Sequence, residues 1–377
     1  MRLTAMYLGA VLGPGVLVLP ALANRAAGPA SLPAWVLLLV LSVPVAMSFA
    51  ELGTRYPGGH GVAGFVGHAF GPRAQNTVAW WFYAVGVPVG VLGGALVGGQ
   101  YVAHAAGGHP LLWGTLILAA AFLANHAGFH VSATAQVLLV GLLTALVATA
   151  IAFRLPHVTT ADFTPFAPHG WLAVGTAATV LFFAFAGWEA GSHLSGAADP
   201  RRATRRTLVV VAVLYLGLAV TTVAVPGDVP LAVLLEQTFG PAARATTAVA
   251  AVLLTFGAVN TYLAGAKELG TAMGLKRSLG VQAGWCAVLL VVTAVWRVDL
   301  ATLMGVTATT LAAVTAAGMA AAVKLLPRKA PPAVALAFTL VVLGFSGWWL
   351  LVPAVVSALA WSAARAGRSA ASPGPRC

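Results

Sequence analysis

The stretch "MRLTAMYLGAVLGPGVLVLPALANRAAG" (residues 1–28) admits two readings that lead to different proteins. One basic residue, an apolar run and the small residues Ala21-Leu22-Ala23 have the layout of a cleavable secretory signal. Gly13, Pro14 and Gly15, however, sit in the middle of the run. Pro14 has no N–H, and its ring clashes with the carbonyl four residues earlier. The flanking glycines remove steric resistance to unwinding. The alternative is therefore a membrane helix interrupted halfway across.

Composition favours the membrane. Of 377 residues, 60% are hydrophobic and 7% charged, against about 25% charged in soluble domains. No Asp, Glu, Lys or Arg occurs in 74–153, 163–188, 207–227 or 330–364, and a spanning helix needs about 20 apolar residues. The net charge of +12 does not imply nucleic acid, because the basic residues lie between hydrophobic segments rather than along one face. Cys286 and Cys377 are the two cysteines and offer no disulfide framework.

Twelve candidate spans follow, at 4–23, 33–53, 75–103, 110–126, 131–153, 170–196, 207–225, 245–266, 279–296, 301–323, 331–347 and 349–364. With the amino terminus cytoplasmic, sixteen of the 20 Lys and Arg residues lie inside, leaving Arg25, Arg154, Arg244 and Arg297 outside. The positive-inside rule requires that bias. Discarding the first segment as a signal would leave the next helix without a charge bias before it. The expected protein is an all-α polytopic one in the inner (cytoplasmic) membrane, with both termini cytoplasmic. Its core is 1–325, its two extra helices 331–364 and its basic tail 365–377.

Gly90, Gly94 and Gly98 recur every four residues and are read as a close-packing face. The sixth span, "GTAATVLFFAFAGWEAGSHLSGAADP" (175–200), carries Gly187 mid-membrane, Glu189 beside it and His193 one turn on. A carboxylate at that depth costs at least about 2.5 kcal/mol and is a functional residue by default. Spans one and six are thus both broken near their centres. An offset of five spans makes them antiparallel, as in an inverted-repeat transporter, with halves near 1–153 and 170–325. This repeat is read from the breaks and topology, without sequence identity between the halves. Half-helix amino ends suit a carboxylate, and unwound carbonyls can accept from an ammonium group. A paired break fits a zwitterion such as an amino acid.

These landmarks resemble the amino acid–polyamine–organocation transporter superfamily. "GPGVLVLPALA" (13–23) is similar to its first-helix motif, 50–73 to its loop between helices two and three, "FFAFAGWEAGSHL" (182–194) to its sixth helix and "PLAVLLEQTFGPAA" (230–243) to its loop before helix eight. The likeness extends to the bacterial exporters of methionine and branched-chain amino acids through "GVAGFVGHAFG" (61–71), Glu189 with His193, and "VNTYL" around Asn260. The resemblance implies a leucine-transporter-like fold of five-plus-five inverted repeats, with discontinuous helices one and six. It implies carboxylate binding at the amides of Gly13, Gly15 and Val16, an ammonium-accepting carbonyl at Ala186 and an aromatic gate at Phe183. Glu189 matches a gating or pH-responsive acid, whereas His193 and Asn260 take supporting places. Pro14 departs from the usual Ser or Thr, removing an N–H and a hydroxyl.

The fifth span lacks the lysine that some proton-coupled relatives use. Glu189 is therefore the expected titrating group, with His193 as relay, while a sodium site near spans one and eight stays open. Phe182, Phe183, Phe185 and Trp188 around the second break point to an apolar side-chain pocket and to methionine, leucine, isoleucine or valine. Efflux is the expected direction, with import or antiport through the same architecture as the alternative. No cofactor is expected, the remaining histidines form no metal spacing, and neither an enzyme motif nor a channel filter is present. A non-transporting sensor on the same fold remains the rival from another class. Nothing in the sequence reports an oligomeric state.

Overall fold

The structure is a computed structural model that describes residue 8 and residues 11–57, 61–129, 133–185, 187–188, 200–225 and 227–369. Among these, every regular element is helical. In chain order the α-helices are α1 (Gly15–Ala27), α2 (Ser31–Arg55), α3 (Gly61–Phe70), α4 (Pro72–Trp80), α5 (Val87–Ala106), α6 (Pro110–His126) and α7 (Ala133–Arg154). They continue with α8 (Ala173–Leu181), α9 (Pro200–Thr222), α10 (Pro230–Phe239), α11 (Ala242–Ala272), α12 (Ser278–Trp296), α13 (Leu300–Leu325), α14 (Ala330–Gly344) and α15 (Leu351–Ser369).

The described residues of each of the twelve expected segments include helix. By length and apolarity, seven helical stretches among the described residues can cross a membrane, and an eighth appears if α14 and α15 count as one span bent by 119°. One of the seven, Gly15–Arg55, contains both α1 and α2, with a turn at Gly28 (φ 62°) between them. Pro110–His126 and Ala173–Ala184 are shorter apolar helices. In the sixth span the α-helix stops at Leu181, and residues 189–196 lie outside the described residues. The 15 residues of α14 rise roughly 22 Å, less than the ~30 Å of hydrocarbon.

The broken spans lie inside. Helix α1 packs on α8, α9 on α2, and α5 on α6 and α11, and the large buried side chains Trp35, Phe49, Tyr101 and Tyr215 fill the space between them. Helices α7 and α12 sit outside, with Leu138, Val281, Val288, Val291 and Val295 exposed, as apolar residues facing lipid require. The turn between α14 and α15 drives two rings into glycine notches. Phe345 lies against Gly175 of α8 and Trp349 against Gly305 of α13, with no room for a methyl at either glycine.

The two stretches expected as loops each hold a ten-residue helix, α3 and α10. Both end on the same tripeptide, Phe70-Gly71-Pro72 and Phe239-Gly240-Pro241. The two glycines take matching left-handed conformations, φ 90° and 75°. Each donates its N–H to the carbonyl four residues earlier, Gly67 or Glu236, at 2.8 Å. This identity between the two stretches is a signal that reading the hydropathy alone passes over.

Candidate functional site

Helix continuity fails where Pro14 predicts. The Leu12 N–H still bonds the Leu8 carbonyl at 2.7 Å, but beyond it the pattern tightens: Val16 donates to Gly13 O at 3.2 Å and Leu17 to Pro14 O at 3.1 Å. α1 restarts at Gly15. In the sixth span, α8 gives way to a 3₁₀ turn, Phe182–Phe185. Gly187 then takes φ 117°, a conformation that glycine adopts without steric cost.

The two breaks touch. A methyl on Gly15 would come within 2.9 Å of the Phe183 ring, so only glycine lets the ring lie against the start of α1. A hydroxyl from α9 ties both segments together. Tyr215 Oη donates to Val11 O at 3.1 Å and, more weakly, to Ala184 O at 3.4 Å. Both carbonyls stand next to a break, where the regular in-helix bond is lost. Trp35 of α2 packs on the Tyr215 ring, centroids 5.1 Å apart. Tyr101 of α5 donates to Leu17 O at 2.9 Å. Sequence reading missed Tyr215; its signal was a lone hydroxyl-bearing ring inside the apolar run "VVVAVLYLGLAV" (209–220).

Beside this junction opens a narrow cavity. Pro14 and Phe183 form one side. The others are Phe82, Gly86, Gly90 and Gly94 of the third span, Val259 and Tyr262 of α11, and Thr307 and Leu311 of α13. The lining is mostly apolar, with the Tyr262 and Thr307 hydroxyls as exceptions. The glycine stripe therefore divides. Gly98 serves packing, since a methyl there would press on Ile117 at 2.8 Å and on Thr255. Gly90 and Gly94 instead line the cavity, where a methyl on Gly94 would meet Pro14 and Val259 at ordinary contact, 3.5 and 3.6 Å. Periodicity located the face, but not what stood opposite it.

The expected site residues are not all brought together. Gly13, Pro14, Gly15, Phe183 and Gly187 belong to the two breaks. Val16 is buried in the core, and its N–H is engaged with Gly13 O. Asn260 lies away from the cavity, buried between α11 and α6. There Asn125 Nδ2 donates to its Oδ1 at 2.6 Å and to its carbonyl at 3.1 Å, while its own amide reaches Phe129 O at 3.4 Å. That arrangement joins two helices. Ala186, Glu189 and His193 lie outside the described residues. Among the described residues, no group of three His, Cys, Asp or Glu side chains converges.

Ion pairs flank the site at one end of the bundle. Arg25, near the end of α1, pairs with Asp228 ahead of α10, and Asn24 Nδ2 donates to Val223 O at 2.6 Å. Glu236 of α10 accepts from Arg244 of α11 and from His104 of α5 at 3.3 Å. The Arg244 hydrogen bond, opposed by burial and aided by His104, holds the Glu236 carboxyl below the usual carboxylate range. Elsewhere, Lys324 Nζ donates to Ala69 O at 2.6 Å in the last turn of α3, where a cation complements the helix dipole.

Two interrupted spans meeting at an apolar cavity inside a lipid-facing bundle define a membrane transporter built on discontinuous helices. The particular family follows from comparison: the chain belongs to the amino acid permease family, whose profile matches residues 1–362. It is an amino acid transporter of the amino acid–polyamine–organocation superfamily and a multi-pass membrane protein, in a family of transporters rather than enzymes.

It is 32% identical over 391 residues to the uncharacterized amino acid permease YecA of Bacillus subtilis (strain 168), covering 94% of this chain and 92% of that one. It is 31% identical over 274 residues to the L-methionine/branched-chain amino acid exporter YjeH of Escherichia coli (strain K12), covering 67% and 64%. The fold is shared with the Eremococcus coleocola manganese transporter (TM-score 0.63, 14% identity, 96% of this chain and 92% of that one). It is shared too with MhsT solved with L-phenylalanine (TM-score 0.59, 12% identity, 95% and 98%).

Proposed function

We propose that this transporter exports neutral apolar amino acids (methionine, leucine, isoleucine and valine) across the cytoplasmic membrane by proton-coupled alternating access. The observation that carries this proposal is the apolar cavity at the meeting of Pro14 and Phe183. The likeness to a methionine and branched-chain amino acid exporter supports the substrate class and the direction.

In this scheme the amides and dipole at the Gly13–Val16 break hold the substrate carboxylate, and the Ala186 carbonyl accepts from its ammonium group. Phe183 closes over the bound molecule, with Gly187 as its hinge. Because Val16 donates to Gly13, that bond opens when substrate takes the amide. Asn260 supports the scheme at a distance by joining α11 to α6. Glu189 carries the coupling proton and His193 relays it. Both termini face the cytoplasm. Inverted repeats over 1–153 and 170–325 are supported by the matching Phe-Gly-Pro helix ends. Helices 331–364 are additions to the 1–325 core, and 365–377 form a cytoplasmic tail.

The test is a substrate panel in reconstituted vesicles with an imposed pH gradient. Wild type should move leucine or methionine against its gradient when protons are supplied, and E189Q should still exchange substrate but lose the pH dependence. Unchanged pH dependence in E189Q refutes the proton assignment. Dependence on a sodium gradient instead would replace it with sodium coupling.

A further inference from the structure

The third span leaves α-helical geometry at a π-helical turn, Trp81–Gly86, just before Pro88. In a regular helix the Ala84 carbonyl would accept from residue 88, and proline has no N–H to give. Helix α12 supplies donors for the turn. Gln282 Nε2 donates to Tyr83 O and Trp285 Nε1 donates to Ala84 O, each at 2.7 Å. Gln282 is 1% exposed, so its amide has no water to turn to. From the other flank, Trp81 Nε1 donates to Pro353 O at 2.9 Å and to Ser357 Oγ at 3.0 Å.

The same turn carries Phe82 and Gly86 into the cavity, with Gly90 one turn further. A π-turn holds one residue more than an α-turn, and its position decides which side chains of the segment face inward. If it slips by a residue, Phe82 leaves the cavity wall. The two α12 bonds fix it at Tyr83 and Ala84.

We infer that Gln282 and Trp285, though outside the cavity, are positioning residues that set its side-chain selectivity by pinning the π-helical turn and thereby Phe82. This rests on the proposal that the cavity receives apolar amino acids. The test is counterflow of alanine, valine, leucine, methionine and phenylalanine in vesicles holding the full chain, comparing wild type with Q282M and W285F. A wild type that moves none of the five overturns the substrate proposal and this inference with it.

Given transport, the kcat/KM ratio of leucine over alanine should fall about five- to tenfold in Q282M, since a single methylene in a well-formed apolar pocket is worth about 10–200-fold. A merely structural role would lower yield, thermal midpoint and rate for all five alike, leaving the ratios unchanged. Unchanged ratios in Q282M overturn the inference; if Q282M is not recovered folded, W285F decides by the same ratio.

Discussion

Replacing Tyr215 with Phe removes one oxygen and keeps the ring that Trp35 packs against. The lost hydroxyl is shared between Val11 O and Ala184 O, so both carbonyls lose a donor in a place where Tyr215 is 1% exposed. A buried acceptor left without its partner costs about 1–3 kcal/mol, while hydrogen bonds between membrane helices average about 0.6 and reach about 1.7 kcal/mol. The two bonds are long, at 3.1 and 3.4 Å, but two buried carbonyls lose their donor at once, which places the loss in the upper part of the second range, about 1–1.5 kcal/mol.

If the bond holds the two broken segments together, Y215F shifts their association by about five- to tenfold. The apparent KM for substrate should rise by that factor, and the thermal midpoint of the purified protein should fall by roughly 2–4 °C. Y101F is the control. Leu17 lies within α1, where its carbonyl has the Ala21 amide one turn on, so the loss should be less than half as large. Wild-type KM and midpoint in Y215F, or equal effects in both variants, would refute the idea that this hydroxyl joins the breaks.

The glycine stripe should separate by position. G94A meets only ordinary contacts with Pro14 and Val259, so it should fold normally and alter substrate KM. G98A forces a methyl against Ile117 and Thr255 and should lower stability by about 1–3 kcal/mol, read as a drop in thermal midpoint. The Glu236 cluster predicts an acid limit. Its carboxyl is held below the ordinary value of 4.5, chiefly by Arg244. The folded form therefore binds this proton less readily than the unfolded form, and its stabilising share is complete above that value. The share is lost as pH falls through 4.5 and then through the lowered folded value. Wild-type minus E236Q thermal midpoints should shrink as pH falls below about 4.5; a difference that persists undiminished well below that value contradicts the assignment.

Much of this architecture is written locally. Pro14 breaks its helix because it leaves a carbonyl one turn earlier without a donor and its ring clashes there, and Gly187 marks the second break through a conformation other residues resist. The span 110–126 coincides with α6 because His109-Pro110 and Ala127-Gly128 bracket it. What the sequence withholds are meetings between distant segments. Asn260 is given a supporting place by its motif, but nothing near it in the sequence points to its partner, Asn125, 135 positions away. Gly90 and Gly98 share one periodicity, yet one faces a cavity and the other Ile117. The recurring Phe-Gly-Pro was readable in principle, but two tripeptides carry little weight until both are seen ending a helix.

The turn between α14 and α15 fits its rings into notches cut in two other helices, at Gly175 and Gly305. The carboxy-terminal helices are therefore keyed to the rest of the protein rather than merely appended to it. A chain shortened before Phe345 would keep both hollows and lose what fills them, so the two rings of this turn and the smallness of two distant residues form a single inheritable choice.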